Sequence, residues 1–235
     1  MTTTDLDEQV KQADPDRWLA SRFIADEAAR TDVLTLYAFN HVLAGIAGSV
    51  SEAMLGQIRL AWWREALEEA ALPGPVRANP VVEALAETVR RGAFGVAELT
   101  ALVDAREPDF APEPLVGEAE IEAYIDGTAG ALAALAARRL DPASRREQVV
   151  HAMRAWGWAG LARNGALPAA WDVARVGARV RADLQEARAE TKSLPVAAFP
   201  ALAYATFSRA YSRGRRLEDY EKRLRLLWAT LRGRV

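Results

Sequence analysis

Three acidic residues at helical spacing are the first candidates for chemistry in this sequence. Asp183, Glu186 and Glu190 recur at three and four residues, which places three carboxylates along one face of a helix. Carboxylates grouped in this way can hold a magnesium ion. Basic residues interleave with them, however, so the pattern favours a solvated, salt-bridged helix face over a metal site. These basic residues are Arg179, Arg181, Arg188 and Lys192.

Few other titratable residues suggest a reaction. His41 and His151 are the only histidines, and neither has an acid at the spacing of a metal-ligand or proton-transfer pair. Asp109 lies three residues after Arg106 and could hold a ligand or cap a helix end. Cysteine is absent, which excludes a thiol nucleophile, a disulfide framework and a zinc-thiolate site.

Two tryptophans and two arginines lie together on one predicted helix. Trp62 and Trp63, with Arg59 and Arg64, could form an aromatic wall that stacks on a cation. A tryptophan pair on an amphipathic helix is also typical of packing in the hydrophobic core and at its edge. Both interpretations remain open at this point.

The C-terminal stretch carries the one local charge asymmetry. Its basic residues alternate with leucines and Trp228 in an amphipathic pattern, which suits a helix on an anionic membrane surface or on a partner protein. A basic-faced helix that closes the fold is the alternative. The basic residues are Arg209, Arg213, Arg215, Arg216, Lys222, Arg223, Arg225, Arg232 and Arg234.

Residues 33–67 contain the elements that would position His41 and the tryptophan and arginine pairs. The spacing predicts two helices, the first ended by Gly48 and Ser49 and the second capped by Ser51. The apolar stripe of the first helix comprises Leu36, Phe39, Leu43, Ile46 and Val50. The buried stripe expected for the second comprises Leu55, Ile58, Trp62 and Ala66.

Composition is that of a globular chain without strong net charge. The 235 residues are 51% hydrophobic and 26% charged, with a formal net charge of -2, so no attraction to nucleic acid is expected. No apolar run is long enough to span a bilayer, and the polar, acidic N-terminus lacks the features of a signal or transit peptide. We therefore expect a cytoplasmic protein.

Further helical patterns follow the first two, without a strand-like alternation. The last predicted helical segment runs from Phe199 to Leu231. The sequence predicts an all-α fold of about eight helices. We expect one domain at residues 14–235, preceded by a flexible segment at residues 1–13.

The sequence of this chain resembles those of the squalene/phytoene synthase family, whose members join two prenyl diphosphates head to head. The similar segments are residues 36–39 (Leu-Tyr-Ala-Phe), 55–67 (LGQIRLAWWREAL), 79–82 (NPVV), 102–110, and Tyr124 followed by residues 127–130. They occur in the family's order across roughly residues 15–215. The resemblance implies a single-domain, isoprenoid-synthase-like helical bundle around a central cavity.

The chain departs from the family at the magnesium-binding aspartates. The resemblance places the two acids of the first motif on Ala44 and Gly48, and those of the second on Asn164 and Pro168. Only Arg163 of the second motif matches. Since these side chains supply no carboxylate, the resemblance implies a pseudoenzyme with no cofactor, whereas an active prenyltransferase would need magnesium held by other acids such as Asp109, Glu52 or Asp126.

Within the family, chains without the aspartates resemble the group linked to assembly of respiratory complex I. The implied role is a non-catalytic assembly or scaffold factor, cytoplasmic or peripheral to the inner membrane, with complex I subunits as partners. The central cavity that the resemblance implies could bind a lipid or isoprenoid. A lipid-carrying module is a further alternative. The cavity or ligand-binding residues implied are Tyr37, His41, Arg59, Trp62, Asp109, Tyr124 and Arg163.

Overall fold

The computed structural model describes residues 3–235, and all regular structure in this range is helical. The all-α prediction is confirmed, but twelve α-helices occur there, more than the eight expected. The described residues group into two compact units. The N-terminal unit contains residues up to Trp18 and Asp26–Pro114, and the C-terminal unit contains Leu19–Ala25 and Leu115–Val235. The single-domain boundary at residue 14 stays a prediction.

The N-terminal unit consists of five α-helices and most of a sixth, α2, whose last residues belong to the C-terminal unit. Part of the segment expected to be flexible is helical and has Val10 buried. The helices are α1 (Thr3–Ala13), α2 (Pro15–Ser21), α3 (Glu27–Gly45), α4 (Ala53–Ala71), α5 (Pro80–Arg90) and α6 (Val96–Asp104), with 3₁₀ segments at Ala47–Ser49 and Glu107–Phe110.

The two central helices exist as predicted, but the second is rotated from its expected position. Leu36, Phe39, Leu43 and Ile46 are buried, as the α3 stripe required. In α4 the expected stripe is wrong, because two of its residues, Leu55 and Ile58, are 44% and 57% exposed. The buried stripe is instead Gly56, Leu60, Trp63, Ala66, Leu67 and Ala70.

Gly56 explains the rotation of α4. A Cβ atom at this position would lie 1.9 Å from Cε1 of Phe110, so the glycine lets the 3₁₀ segment Glu107–Phe110 pack directly on the helix backbone. The helix presents its glycine to that ring and leaves Leu55 outside. Its N-cap is Glu52, without a side-chain hydrogen bond, and not Ser51 as expected.

The C-terminal unit contains the remaining α-helices. Residues 118–140 form a continuous helical stretch that includes a π-helical segment, Asp126–Gly130. The α-helices are α7 (Glu118–Ile125), α8 (Ala131–Leu140), α9 (Val150–Arg163), α10 (Val173–Glu190), α11 (Ser208–Tyr211) and α12 (Asp219–Arg232). The 3₁₀ segments are Arg146–Gln148, Thr191–Ser193, Val196–Ala201 and Ala203–Phe207.

The predicted long helix from Phe199 to Leu231 is wrong. Pro200 lies in a 3₁₀ segment, because its ring removes the backbone N–H that an α-helix would use. Gly214, with a φ of 69°, follows α11 in the left-handed conformation that favours glycine. The last helix, α12, starts afresh at Asp219, with the Glu221 side chain accepting a hydrogen bond from the Glu218 N–H.

Helices α7 and α9 approach very closely at one glycine. A Cβ atom on Gly157 of α9 would lie 2.3 Å from Cγ2 and 2.7 Å from Cγ1 of Ile125. Ile125 is buried and its branched side chain has little rotamer freedom on a helix. The glycine therefore sets the distance between the two helices.

An ionic cluster joins α7, α9 and α10 beside this contact. Arg154 of α9 binds both carboxylate oxygens of Asp126, at 2.9 and 2.6 Å, and approaches Glu122 at 2.9 Å. Arg179 of α10 binds both oxygens of Asp183, at 3.2 and 2.8 Å. Arg179 also lies 3.1 Å from Glu122, so this carboxylate is shared between the two arginines.

The expected solvated acidic face of α10 is wrong at Asp183. This side chain is fully buried, and burial raises the pKa of its carboxyl although the hydrogen bonds from Arg179 oppose the shift. Those hydrogen bonds also raise the pKa of Arg179. Glu186 is exposed, while a carboxylate oxygen of Glu190 accepts from Nδ1 of the His151 ring at 2.6 Å. The three acids therefore have three different environments.

Replacing Gly157 with alanine should destabilise the C-terminal unit. Alanine favours helices over glycine by about 1 kcal/mol, but the added methyl group meets Ile125, and overpacking of this kind costs about 1–3 kcal/mol. Urea unfolding followed by circular dichroism should show a lower midpoint for Gly157→Ala.

Gly160→Ala is the matched control on the same helix. No heavy atom lies within 4 Å of a Cβ atom at Gly160, so this change should stabilise the protein by up to about 1 kcal/mol. Equal shifts of both variants in the same direction would contradict the close approach at Gly157.

Removing the Arg179 guanidinium should destabilise the fold in a pH-dependent way. Arg179→Gln leaves the buried Asp183 without its main counter-charge, which should cost about 2–3 kcal/mol at neutral pH. The pKa of Asp183 should rise further. Because the protonated carboxyl carries no charge, the deficit should shrink as the pH falls toward about 3.9, the value in unfolded chains.

Denaturant unfolding of the wild type and variant between neutral and acid pH measures this effect. Arg181→Gln, at an exposed position of the same helix, should change the free energy of unfolding by no more than about 0.5 kcal/mol. A deficit in Arg179→Gln that stays constant with pH would rule out the Asp183 charge as its source.

Candidate functional site

A cavity of about 460 Å³ lies within the N-terminal unit, among α1, α3, α4 and the start of α5. Its volume falls in the range of small-molecule sites, about 300–1,000 Å³. The lining contains both apolar side chains and hydrogen-bonding groups. The lining residues are Gln9, His41, Val42, Gly45, Ile46, Ser49, Arg59, Trp62, Trp63 and Asn79.

Local structure fixes two of the polar residues that line this cavity, Asn79 and Ser49. Asn79 caps α5, its side-chain oxygen accepting from the N–H groups of Val81 and Val82 at 3.0 and 3.2 Å. Ser49 ends the 3₁₀ segment after α3 and donates its hydroxyl to the carbonyl of Ile46 at 2.8 Å. Both polar groups are thereby fixed at the start or end of a helix.

Arg59 brings a positive charge to the cavity. Its guanidinium donates to the Ser49 hydroxyl oxygen at 2.6 Å, and the side chain is otherwise exposed. Within residues 3–235 Arg59 forms no ion pair with a carboxylate. The arrangement therefore leaves guanidinium donors that a phosphate or carboxylate could accept from.

The aromatic wall of the cavity is a packed column. Phe39 contacts Trp63 edge-on at a centroid distance of 5.3 Å, and Trp63 contacts Trp62 at 5.0 Å. The Arg77 guanidinium lies 5.0 Å from the Trp62 ring centre. Trp62 therefore already has a cation against its ring, and this cation belongs to the protein.

Arg77 is held firmly in that position. Two hydrogen bonds to Glu69, at 2.9 and 2.7 Å, and one to Glu65 at 2.9 Å raise its pKa above the usual range. It also donates to the Trp62 carbonyl at 3.2 Å. The carboxylates keep the guanidinium in place, and the guanidinium in turn fixes the orientation of the tryptophan ring.

His41 connects this cavity to a second one of about 530 Å³, also within the N-terminal unit. The second cavity is lined by His41 and by four residues of α1. The four residues are Glu8, Gln9, Gln12 and Ala13. Of the implied ligand-binding residues, His41, Arg59 and Trp62 thus come together, and ligand binding by them stays a prediction.

Tyr37 and Asp109 do not line the cavity. Tyr37 is buried, with the Arg17 guanidinium 5.9 Å from its ring centre. Asp109 lies 3.8 Å from Arg106, which also donates to the side chain of Asn40 at 3.1 Å. These contacts tie the 3₁₀ segment Glu107–Phe110 to α3.

The positions that the resemblance assigned to the first aspartate motif lie at the end of α3. Ala44 is in the last turn of this helix, and Gly48 is in the following 3₁₀ segment, and both are exposed. A methyl group and a hydrogen atom cannot ligate a cation. Gly45, between them, lines the cavity.

The implied site residues of the C-terminal unit have structural contacts of their own. Arg163, at the end of α9, lies over the rings of Tyr211 and Trp156, 4.6 and 6.0 Å from their centres. Asn164 is the C-cap of the same helix. The backbone carbonyl of Tyr124 accepts from the Thr128 hydroxyl at 2.7 Å in the π-helical segment.

Sequence reasoning missed the ionic cluster of this unit, which is its most buried charged feature. Glu118, Glu122 and Asp126 follow each other at four-residue spacing, and the arginines that meet them come from helices much later in the chain. The acidic spacing was a usable signal, but the pairing depends on the tertiary structure.

Two kinds of feature are absent among residues 3–235. No group of three or more histidine, aspartate or glutamate side chains is arranged there to hold a metal ion. No helix in the same range combines the length and apolar character needed to cross a bilayer. The expectation that the chain uses no cofactor stays a prediction.

Proteins named NADH dehydrogenase (ubiquinone) complex I, assembly factor 6 are similar to this chain. The rat and human proteins are 30% identical over 125 residues, which make up 53% of this chain and 37% of each relative. The bovine protein is 26% identical over an alignment covering 92% of this chain and 72% of the relative. The aligned part thus spans little more than a third of the rat and human proteins.

Two further comparisons identify the fold and the family of this chain. A crystal structure of a dehydrosqualene synthase superposes with a TM-score of 0.75 at 15% identity, covering 98% of this chain and 95% of the other. This likeness confirms the isoprenoid synthase fold. The family model of squalene/phytoene synthase matches residues 10–164, well over half of the sequence. The chain therefore belongs to the squalene/phytoene synthase family.

Proposed function

We propose that this protein is a non-catalytic factor in the assembly of NADH dehydrogenase (ubiquinone) complex I. The observation that carries the proposal is the similarity to complex I assembly factor 6, which in the bovine relative extends over 92% of this chain. In this role the protein works in the cytoplasm, at the periphery of the membrane that holds complex I, and its partners are complex I subunits. The fold alone would not decide between assembly and catalysis.

The side chains at the motif positions support the non-catalytic part of the proposal. Ionisation of an allylic diphosphate requires magnesium bridged to carboxylates. Ala44 and Gly48 offer no oxygen ligand in the N-terminal unit. In the C-terminal unit, Pro168 offers none and Asn164 is a neutral amide.

Two of the three acids that could have replaced the missing ligands, Asp126 and Asp109, have other contacts. Asp126 is bound at both oxygens by Arg154, so a metal would have to displace a bidentate ion pair. Asp109 lies beside Arg106. Glu52 is an exposed N-cap residue without a side-chain hydrogen bond to its helix. These contacts favour the assembly role over prenyl transfer.

The cavity of the N-terminal unit supports a second, compatible function, the binding of an amphiphilic lipid or isoprenoid. Val42, Ile46 and Trp62 provide apolar surface for a hydrocarbon chain. Arg59 and His41 line the same cavity, and a diphosphate or another anionic head group there would accept hydrogen bonds from them. Binding of this kind needs no magnesium cluster.

Loss of this protein should prevent assembly of complex I without affecting other respiratory enzymes. Deleting its gene should abolish the complex I band on native gels and the NADH–ubiquinone reductase activity, while succinate oxidation persists. The wild-type gene should restore both. So should the double variant Glu52→Gln, Asp109→Asn, because the proposal assigns no catalytic role to either carboxylate.

Incubating the purified protein with farnesyl diphosphate and magnesium distinguishes the non-catalytic proposal from the prenyltransferase alternative. The proposal expects no diphosphate release from the folded wild-type protein, with an active dehydrosqualene synthase as the positive control. Magnesium-dependent release that is lost in Asp109→Asn or Glu52→Gln would establish a prenyltransferase and overturn the proposal.

An anionic isoprenoid should bind more tightly than its neutral alcohol, and Arg59 should account for the difference. Arg59→Gln should weaken binding of farnesyl diphosphate by at least tenfold, since hydrogen bonds between charged groups contribute about 1.5–3 kcal/mol. Binding of farnesol should change little. Equilibrium dialysis without magnesium measures both affinities.

Arg188→Gln is the matched control, because Arg188 is an exposed arginine of α10, an element of the C-terminal unit. This variant should bind both compounds as the wild type does. Equal affinity of the wild type for the two compounds, or an Arg59→Gln variant with unchanged affinity, would remove the ligand-binding role from this cavity.

A further inference from the structure

Helix α12 exposes an unusually large apolar stripe. Five large side chains recur at spacings of one, three and four residues and fall within an arc of about 100° around the helix. None of them is less than 45% exposed. They are Tyr220 at 66%, Leu224 at 53%, Leu227 at 45%, Trp228 at 56% and Leu231 at 73%.

This stripe is not the face by which α12 is attached to its own unit. Leu226 and Ala229, on the opposite side of the helix, are buried, and α12 packs on the 3₁₀ segments Val196–Ala201 and Ala203–Phe207. The helix therefore closes the C-terminal unit with one face and presents a second apolar face outward.

Basic side chains border the stripe on both sides. At 3.6 residues per turn, Arg223 lies along one edge and Arg225 and Arg232 along the other. The Arg232 guanidinium lies 4.7 Å from the ring centre of Trp228. Long arginine side chains at such borders can bury their methylene groups while the charged ends reach polar surroundings.

The C-terminal segment that contains α12 also has a net positive charge. Residues 209–235 contain nine basic and three acidic residues. One of the acids, Glu221, is paired with Arg215. The other two, Glu218 and Asp219, lie at the start of α12, outside the apolar stripe. The outward face of the helix is therefore apolar at its centre and positive at its edges.

We infer that α12 lies flat in the surface of an anionic phospholipid bilayer. The apolar stripe would enter the boundary between head groups and acyl chains, and the bordering arginines would bind lipid phosphates. A second copy of the chain fits less well, because a two-fold contact through this stripe would bring arginine edges together. The inference goes beyond the assembly role and does not depend on it.

Vesicle flotation with the full chain tests this inference. The wild type should float with phosphatidylcholine vesicles that contain roughly 30 mol% phosphatidylglycerol and remain at the bottom with phosphatidylcholine alone. The triple variant Arg223→Gln, Arg225→Gln, Arg232→Gln should partition into the anionic vesicles on the order of 100-fold less. The double variant Leu224→Gln, Trp228→Gln should lose at least about tenfold.

Matched controls use exposed residues of the same types elsewhere. Arg181→Gln with Arg188→Gln removes two exposed arginines of α10, and Leu72→Gln replaces a leucine that is 61% exposed. Both control variants should float as the wild type does. Unchanged unfolding midpoints would show that the α12 variants remain folded.

Three results would overturn the inference. The first is equal flotation of the wild type with neutral and anionic vesicles, and the second is α12 variants that float as well as the controls. The third is a wild type that is dimeric by sedimentation, becomes monomeric in Leu224→Gln, Trp228→Gln, and binds neither kind of vesicle. That result would assign the stripe to a second copy.

Discussion

Removing the Asp183 carboxylate from water costs several kcal/mol unless a counter-charge accompanies it. The C-terminal unit meets this requirement with Arg179, one turn earlier on the same helix, and the pair then determines much of its surroundings. Arg179 also lies close to Glu118 and Glu122 of α7, and Arg154 of α9 shares Glu122. Three helices are thus held in register by charges that would be unfavourable if any one were left alone.

The close contact of Gly157 with Ile125 belongs to the same arrangement. Arg154 lies one turn before this glycine on α9, and Asp126 follows Ile125 directly at the start of the π-helical segment. The short distance between α7 and α9 is what allows Arg154 to reach both oxygens of Asp126. Steric and electrostatic contacts therefore support each other, and the cluster has a structural explanation without a ligand.

In the N-terminal unit the corresponding feature is aromatic. The column of Phe39, Trp63 and Trp62 ends at Arg77, which two glutamates hold in place. A wall fixed in this way keeps part of the cavity rigid, and Arg59, on the same helix, lines this cavity with guanidinium donors available. A chain with Ala44 and Gly48 at the end of α3 can thus keep a shaped, partly apolar cavity. This combination is compatible with a protein that binds or scaffolds and does not ionise a diphosphate.

The sequence by itself determined the helical class, the α3 stripe and the lack of a carboxylate at Ala44 and Gly48, because periodicity and side-chain composition are local properties. The tertiary structure decided the rotation of α4, where apolar residues occupy two faces and the contact of Gly56 with Phe110 selects the buried one. It also decided the burial of Asp183, since an acidic residue among arginines is compatible with either a solvated face or an internal ion pair. Only the partner helices, distant in sequence, distinguish the two.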